Sequence, residues 1–399
     1  MKRFIIFNLI LILLLSFLPV DLVSAEKQED NKVVESQTVL DIESPSALLM
    51  ELNSGQILYE KDGETARRPA SVTKLMTMLL AFEALESGKL SLDSMVTVSE
   101  HAASMGGSQV YLEVNEQQTV EDILKCMIIS SANDAAVAIG ETIAGSEEAF
   151  VQMMNERAKE LGMENTSFAN ACGLEANGHV MSAKDIAILS RELLLHHEEV
   201  LDYTTIWMDT IVHKTSKGES EFGLANTNKF LKKYEGANGL KTGYTSDAGF
   251  SMSASATRNG TTLIAVVMGS KTKDIRYSDA AKLLDYGFAN CSIYTDNKVL
   301  DGDNHIPIED GTSAYATVKA EDSFHYVFIG NASQQNVKKR LIMEKKVAPI
   351  KKGEIIGRME YYQDEKLLGS VNIIAVKTIE KQQYYDTLEK MFFKFLNIY

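Results

Sequence analysis

RRPASVTKLM, residues 67 to 76, sets a serine and a lysine three positions apart, just after a proline and just ahead of an apolar run. The run predicts a helix over Ser71 to Ser87, ended by Gly88. On such a helix Ser71 and Lys74 share a face. Two readings are open at this point. Ser71 is a helix cap, or it is a nucleophile with its base one turn away. S-x-x-K alone decides little, because it recurs at Ser24/Lys27 and Ser270/Lys273. Only Ser71/Lys74 opens a helix.

Working outward, 399 residues suffice for two domains, and 45% hydrophobic content supports real cores. The formal net charge of −15 argues against a nucleic-acid partner. Lys2 and Arg3 precede an apolar stretch from Phe4 to Leu18, and Val23-Ser24-Ala25 offers small residues for cleavage. That stretch falls short of the ~20 residues a membrane span needs. Residues 1–25 are therefore expected to be a signal peptide, with Glu26 the new N-terminus and the protein exported. Residues 26–45, polar, acidic and without periodicity, read as a leader. Cys126, Cys172 and Cys291 are odd in number and not tightly spaced, so they describe neither a disulfide framework nor a zinc site.

The remainder divides into a larger unit, residues 46–291, and a smaller one, 292–380. SALLMELNSGQILYEKDG and GFSMSASATRNGTTLIAVVMG read as hairpins, the second turning at Asn259-Gly260. Between them lie helical patterns over Thr119–Ile129, Asn133–Ile143 and Ser146–Leu161. Strands at both ends with helices between predict an α+β class, one antiparallel sheet packed with helices. Short β-like runs such as AYATVKA, FHYVFIG and GEIIGRMEYY predict a small, mostly β second domain. In residues 381–399, Tyr384, Tyr385, Leu388, Met391, Phe392, Phe395, Leu396 and Tyr399 fall on one helical face. Such a helix either docks on its own domain or lies flat on a membrane surface.

Two further stretches give the opening pair its company. IISSANDAAVAIG puts Ser131 and Asn133 where one apolar helix stops and another starts, and GLKTGYTSDAGFSM holds the chain's only K-T-G, Lys241-Thr242-Gly243. The ordered set S-x-x-K, S-x-N, K-T-G is the one shared by penicillin-binding proteins and class A β-lactamases. On these motifs, and on GLEANGHVMSAKDIA and NTNKFL in the same order, the chain resembles the serine-type D-alanyl-D-alanine carboxypeptidases, the low-molecular-mass penicillin-binding proteins. The resemblance runs from about Ser46 to Glu380 and implies the penicilloyl-serine transferase fold.

It also implies roles. Ser71 would be the nucleophile, Lys74 its base, and Ser131 a proton relay to the departing nitrogen. Asn133 would hold the substrate amide, and Lys241 and Thr242 its terminal carboxylate. Gly243 would admit substrate close to the strand, and the Ser71 and Tyr244 N–H groups would form an oxyanion hole. The implied substrates are peptidoglycan stem peptides ending in D-Ala-D-Ala, with β-lactams as covalent inhibitors, the membrane surface met by the C-terminal helix, and no metal or organic cofactor. Lys74 serves only if neutral, and burial beside a second cation lowers a lysine's pKa. Some family members carry histidine where Tyr244 stands, and some an arginine ahead of K-T-G, where this chain reads NTNKFLKKYEGANG. His179 and Asp185 are expected to order a loop.

Rival chemistries fit worse. No G-x-S-x-G elbow or H-E-x-x-H site occurs, and Leu240 breaks the phosphate-loop resemblance of GANGLKTG. A β-lactamase of the same fold would need an E-x-x-L-N segment between S-x-N and K-T-G, and none is present. A non-enzymatic wall-binding scaffold with a relic site is the remaining alternative.

Overall fold

The structure, a computed structural model, describes residues 40–215, 217–300, 302, 304–329, 336–385, 392 and 395. The expected signal peptide and most of the leader lie outside those residues. The unit from Ile42 to Tyr399 holds everything that follows.

Both expected hairpins form. Strands β1 (Ser46–Glu51) and β2 (Ile57–Lys61) pair with each other, and β3 (Ala237–Thr245), β4 (Gly249–Arg258) and β5 (Thr261–Ser270) complete one antiparallel sheet. The strand order is β2-β1-β5-β4-β3, so the first hairpin joins the last two strands far along the chain. At the β4–β5 turn Asn259 and Gly260 take φ values of 50° and 78°, the doubly left-handed turn that matches strand twist. Strand β5 reads as an unbroken apolar run because both faces are covered. Leu48, Met50, Ile264, Val266 and Met268 point into the helical core. Leu49 and Leu263, on the other face, meet the last helix of this unit, α6 (Lys273–Asn290). A Cβ on its Gly287 would come within 2.4 Å of Leu263.

The longer helices between are α1 (Lys74–Glu86), α2 (Val120–Ile129), α3 (Asn133–Ala144), α4 (Glu147–Glu160) and α5 (Ala183–His196). Thr119, Ser146 and Ser182 cap α2, α4 and α5 through their side-chain oxygens. Helix α1 is buried from Lys74 to Ala81 without a break, which is why its sequence carries no polar stripe. The structure departs from the expected start of that helix. Ala70–Thr73 form a 3-10 turn and the α-helix begins at Lys74, so Ser71 stands one turn outside it. A hairpin of Met208–Thr215 with Gly218–Ala225, and the short pair Met95–Thr97 with Gln117–Thr119, were not legible in the sequence.

Beyond α6 the chain is β-rich. One five-stranded antiparallel sheet and a two-stranded pair surround their own core, where Phe324 and Tyr361 stack with centroids 3.7 Å apart. Of the predicted C-terminal helix, Tyr384, Tyr385, Phe392 and Phe395 are described, and all four are helical. The rest of it lies outside the described residues.

Candidate active site

The sheet edge β3, the 3-10 turn before α1 and the α2–α3 junction converge on one cleft of about 690 Å³. The turn is held open by an unusual backbone. Ala70 has a left-handed φ of 49°, and its carbonyl accepts from Thr73 Oγ1 at 2.8 Å. Behind Thr73 stands His179, 3% exposed, with Nε2 2.7 Å from that hydroxyl. His179 Nδ1 accepts from the Ala169 N–H at 3.0 Å, so Nε2 carries the proton and donates to Thr73. Burial holds this imidazole down at about 4, so it stays neutral. A Cβ on Gly173 would lie 1.9 Å from the Ala70 oxygen, so only glycine fits opposite the turn. Asp185 accepts from the Asn165 N–H and the Thr166 hydroxyl, each at 2.8 Å. Both residues order the loop that backs the site, as expected.

Lys74 is completely buried. Its Nζ lies 2.6 Å from Asn133 Oδ1, 2.7 Å from the Cys172 carbonyl and 3.1 Å from Ser71 Oγ. Burial brings its pKa down to about 8, against an opposing pull from Asp134. A neutral amine has two N–H donors and one lone pair. Asn133 and Cys172 are pure acceptors and take both donors, which leaves the lone pair for the Ser71 hydroxyl.

Ser131 is not a cap. Helix α3 has Ala132 at its N-cap with no side-chain bond, and Ser131 sits before it in the left-handed region at φ 62°. That conformation costs a non-glycine residue about 1–3 kcal/mol and marks functional positions. Ser131 Oγ receives Lys241 Nζ at 2.8 Å, across 110 residues of chain. Lys241 is 1% exposed. Burial, then Lys74 and Arg276, push its pKa well below the ordinary lysine value. Asn133 is anchored by its side-chain N–H to the Gly106 carbonyl at 2.7 Å, which fixes its Oδ1 toward Lys74.

Along β3, Thr242 lines the cleft, and a Cβ on Gly243 would come 2.8 Å from the Pro69 carbonyl and 3.1 Å from the Ser71 nitrogen. Glycine is thus required for the strand to pack against the Ser71 turn at all. Tyr244 turns its ring to the mouth, 56% exposed, and stacks on Phe250 at 4.2 Å.

The sequence reading missed Arg276. The stretch just ahead of β3, NTNKFLKKYEG, holds no arginine, and its Thr227 lies 3.5 Å from Thr242 Oγ1. The cation comes instead from the first turn of α6. Arg276, 5% exposed, lines the cleft, reaches the carbonyls of Gly243 and Ser251 at 3.3 and 3.4 Å, and lies 4.6 Å over the Tyr277 ring. Its Nε is buried without a partner among the described residues. A signal existed: Arg276 is in register with the buried face of α6 formed by Ala280, Leu283 and Gly287. Among the described residues no group of three or more His, Cys, Asp or Glu side chains is placed to hold a metal ion. Another cavity, of about 700 Å³ and lined by Phe82 and Tyr203, contains none of these groups.

A serine facing a buried lysine's lone pair, with a second lysine on a second serine, defines a serine-nucleophile acyl-transfer site. Comparison with known proteins agrees. Residues 31–272 match the family model described as D-alanyl-D-alanine carboxypeptidase, and residues 288–381 match the penicillin-binding protein 5 C-terminal domain. The chain belongs to the D-alanyl-D-alanine carboxypeptidase family. It is 38% identical to D-alanyl-D-alanine carboxypeptidase DacF of Bacillus subtilis over 98% of either chain. Its fold is similar to penicillin-binding protein 5 from Haemophilus influenzae, with a TM-score of 0.72, 31% identity, and 85% of this chain and 98% of that one covered. It is also similar to penicillin-binding protein D2 from Listeria monocytogenes in its ampicillin-bound form, with a TM-score of 0.55, 33% identity, and 62% and 99% covered.

Proposed function

We propose that the protein is a serine-type carboxypeptidase that removes the terminal D-alanine from peptidoglycan stem peptides ending in D-Ala-D-Ala. The observation that carries the reading is the saturation of both Lys74 donors by Asn133 and Cys172, with Ser71 as the remaining neighbour. Neutral Lys74 takes the Ser71 proton as Oγ bonds to the carbonyl carbon of the penultimate residue. With a pKa of about 8, about a tenth of Lys74 is neutral at pH 7. General-base help of this kind is worth ~10²–10⁴ in rate. The Ser71 and Tyr244 N–H groups receive the oxyanion, and Asn133 steadies the amide. Ser131, bonded to Lys241, passes a proton to the departing nitrogen as the C–N bond breaks. Water then cleaves the ester and restores Ser71. Lys241, Thr242 and Arg276 meet the terminal carboxylate, a charge that needs partners once desolvated.

The same attack opens a β-lactam ring, and without an E-x-x-L-N base the resulting ester leaves slowly. The relative in its ampicillin-bound form supports β-lactam binding. Nothing favours the scaffold or β-lactamase alternatives. Residues 46–291 carry the chemistry in this reading, and 292–380 form a separate module. Export rests on the signal-like residues 1–25. The C-terminal helix is read as the tether to the outer membrane face, supported by exposures of 75% at Tyr384, 80% at Tyr385, 59% at Phe392 and 88% at Phe395. Incubating the purified protein with a pentapeptide ending in D-Ala-D-Ala tests the activity: free D-alanine is expected, and none would overturn the reading. Removing residues 384–399 should release active enzyme from membranes, and a truncated protein that still pellets would end the tether proposal.

A further inference from the structure

The cleft carries more positive charge than one terminal carboxylate requires. The chain as a whole has a formal charge of −15, yet Lys229, Lys233 and Lys273 all stand on the rim of this cleft, with Asp274 the one acid among its lining residues. They come from separate elements. Lys229 and Lys233 lie in and just after the 3-10 turn Lys229–Lys232 ahead of β3, and Lys273 is the first residue of α6. The two sides are joined where Lys233 Nζ lies 5.1 Å over the Tyr277 ring. All three lysines are exposed, and none forms an ion pair with a described residue. Beneath them, buried Lys241 and Arg276 already match the charge of a D-alanine carboxylate. Like charges gathered around one opening repel one another, and an anion between them removes that cost.

We propose that the leaving-residue side of the cleft accepts a terminal D-amino acid with an acidic side chain, so that the enzyme removes D-glutamate or D-aspartate from stem peptides as well as D-alanine. This rests on the carboxypeptidase reading above. The bond changes are the same: Ser71 Oγ gains the acyl group, the peptide C–N bond breaks, and the nitrogen leaves protonated. The second carboxylate stays ionised among the rim lysines throughout. Exposed ion pairs are individually weak, and two or three together give roughly tenfold in kcat/KM at low salt.

The test uses the full-length purified protein and two acylated peptides that differ only in the last residue, D-Ala-D-Ala against D-Ala-D-Glu, with the released D-amino acid measured. The D-glutamate peptide is expected to be cleaved at least as efficiently as the other at low salt, and to lose its advantage at about 0.5 M salt, where the screening length falls to a few ångströms. The triple variant Lys229→Gln, Lys233→Gln, Lys273→Gln should lower the ratio of the two kcat/KM values roughly tenfold. Its rate of penicillin acylation serves as the check that it is folded. D-alanine release with D-glutamate released more than tenfold slower at low salt overturns the proposal and leaves the carboxypeptidase reading standing. So does a ratio unchanged in the triple variant. Release from neither peptide overturns both.

Discussion

Replacing Lys74 by methionine separates what the site costs the fold from what it does. Burial brings the folded-state pKa of Lys74 from 10.5 to about 8. At ~1.36 kcal/mol per unit, holding the charged amine in the folded protein costs about 3 kcal/mol. The folded value lies below the unfolded one, so this cost applies in full below pH 8 and fades as pH rises from 8 toward 10.5. Methionine removes the term. It also leaves Asn133 Oδ1 and the Cys172 carbonyl without their donor, at ~1–3 kcal/mol each, a loss that does not vary with pH. Lys241 loses a cationic neighbour as well, which acts in the same direction as the first term. Urea unfolding of both proteins at pH 6.5 and at pH 10.5 isolates the pH-dependent part. Measured against wild type, the variant should be more stable at the lower pH than at the higher one by about 3 kcal/mol. A variant-to-wild-type difference that is constant between the two pH values refutes a desolvated Lys74, and with it the neutral base. In wild type the same group should set the acid limb of penicillin acylation, falling tenfold per unit below a pH of about 8.

Ser71→Ala should abolish covalent labelling by a fluorescent penicillin, and a labelled variant would place the nucleophile elsewhere. Arg276→Gln should raise KM for the D-Ala-D-Ala peptide about tenfold or more with a smaller change in kcat, because a carboxylate partner acts on bound substrate and transition state alike; a pure kcat defect would argue against that role. His179→Phe removes the donor that holds Thr73 on the Ala70 carbonyl. It should slow acylation while leaving the apparent pKa of the acid limb at the Lys74 value; a shifted limb would mean that His179 titrates in the reaction.

Much of the fold was legible because its elements announce their ends. Asn259-Gly260, Thr119 and Ser146 specify turns and caps by local chemistry, and those elements stand where the sequence places them. What was not legible lacked such signals. The hairpin of Met208–Thr215 with Gly218–Ala225 is half exposed and carries no sustained alternation, its glutamates and threonines reading as loop. The 3-10 turn at Ala70–Thr73 escaped for another reason. It is set by what packs against it, Gly173 and His179 from more than a hundred residues downstream, and no propensity of Ala-Ser-Val-Thr predicts it.

The site divides along the same line. Ser71, Lys74, Ser131, Asn133 and Lys241 sit in short motifs whose residue types suit the chemistry, and the fold sets Ser71 and Asn133 on Lys74 and Ser131 on Lys241. Arg276 belongs to no motif. Its selection is a matter of charge placement: a cation is needed on the carbonyl edge of β3, and any element that reaches that edge can supply it. Helix α6 reaches it because Gly287 lets the helix lie close on β1 and β5, which brings its first turn against Gly243 and Ser251. A motif fixes the residues that must act together within a few bonds, whereas a charge that acts through space is free to migrate along the chain. That freedom hides Arg276 from any motif in the sequence.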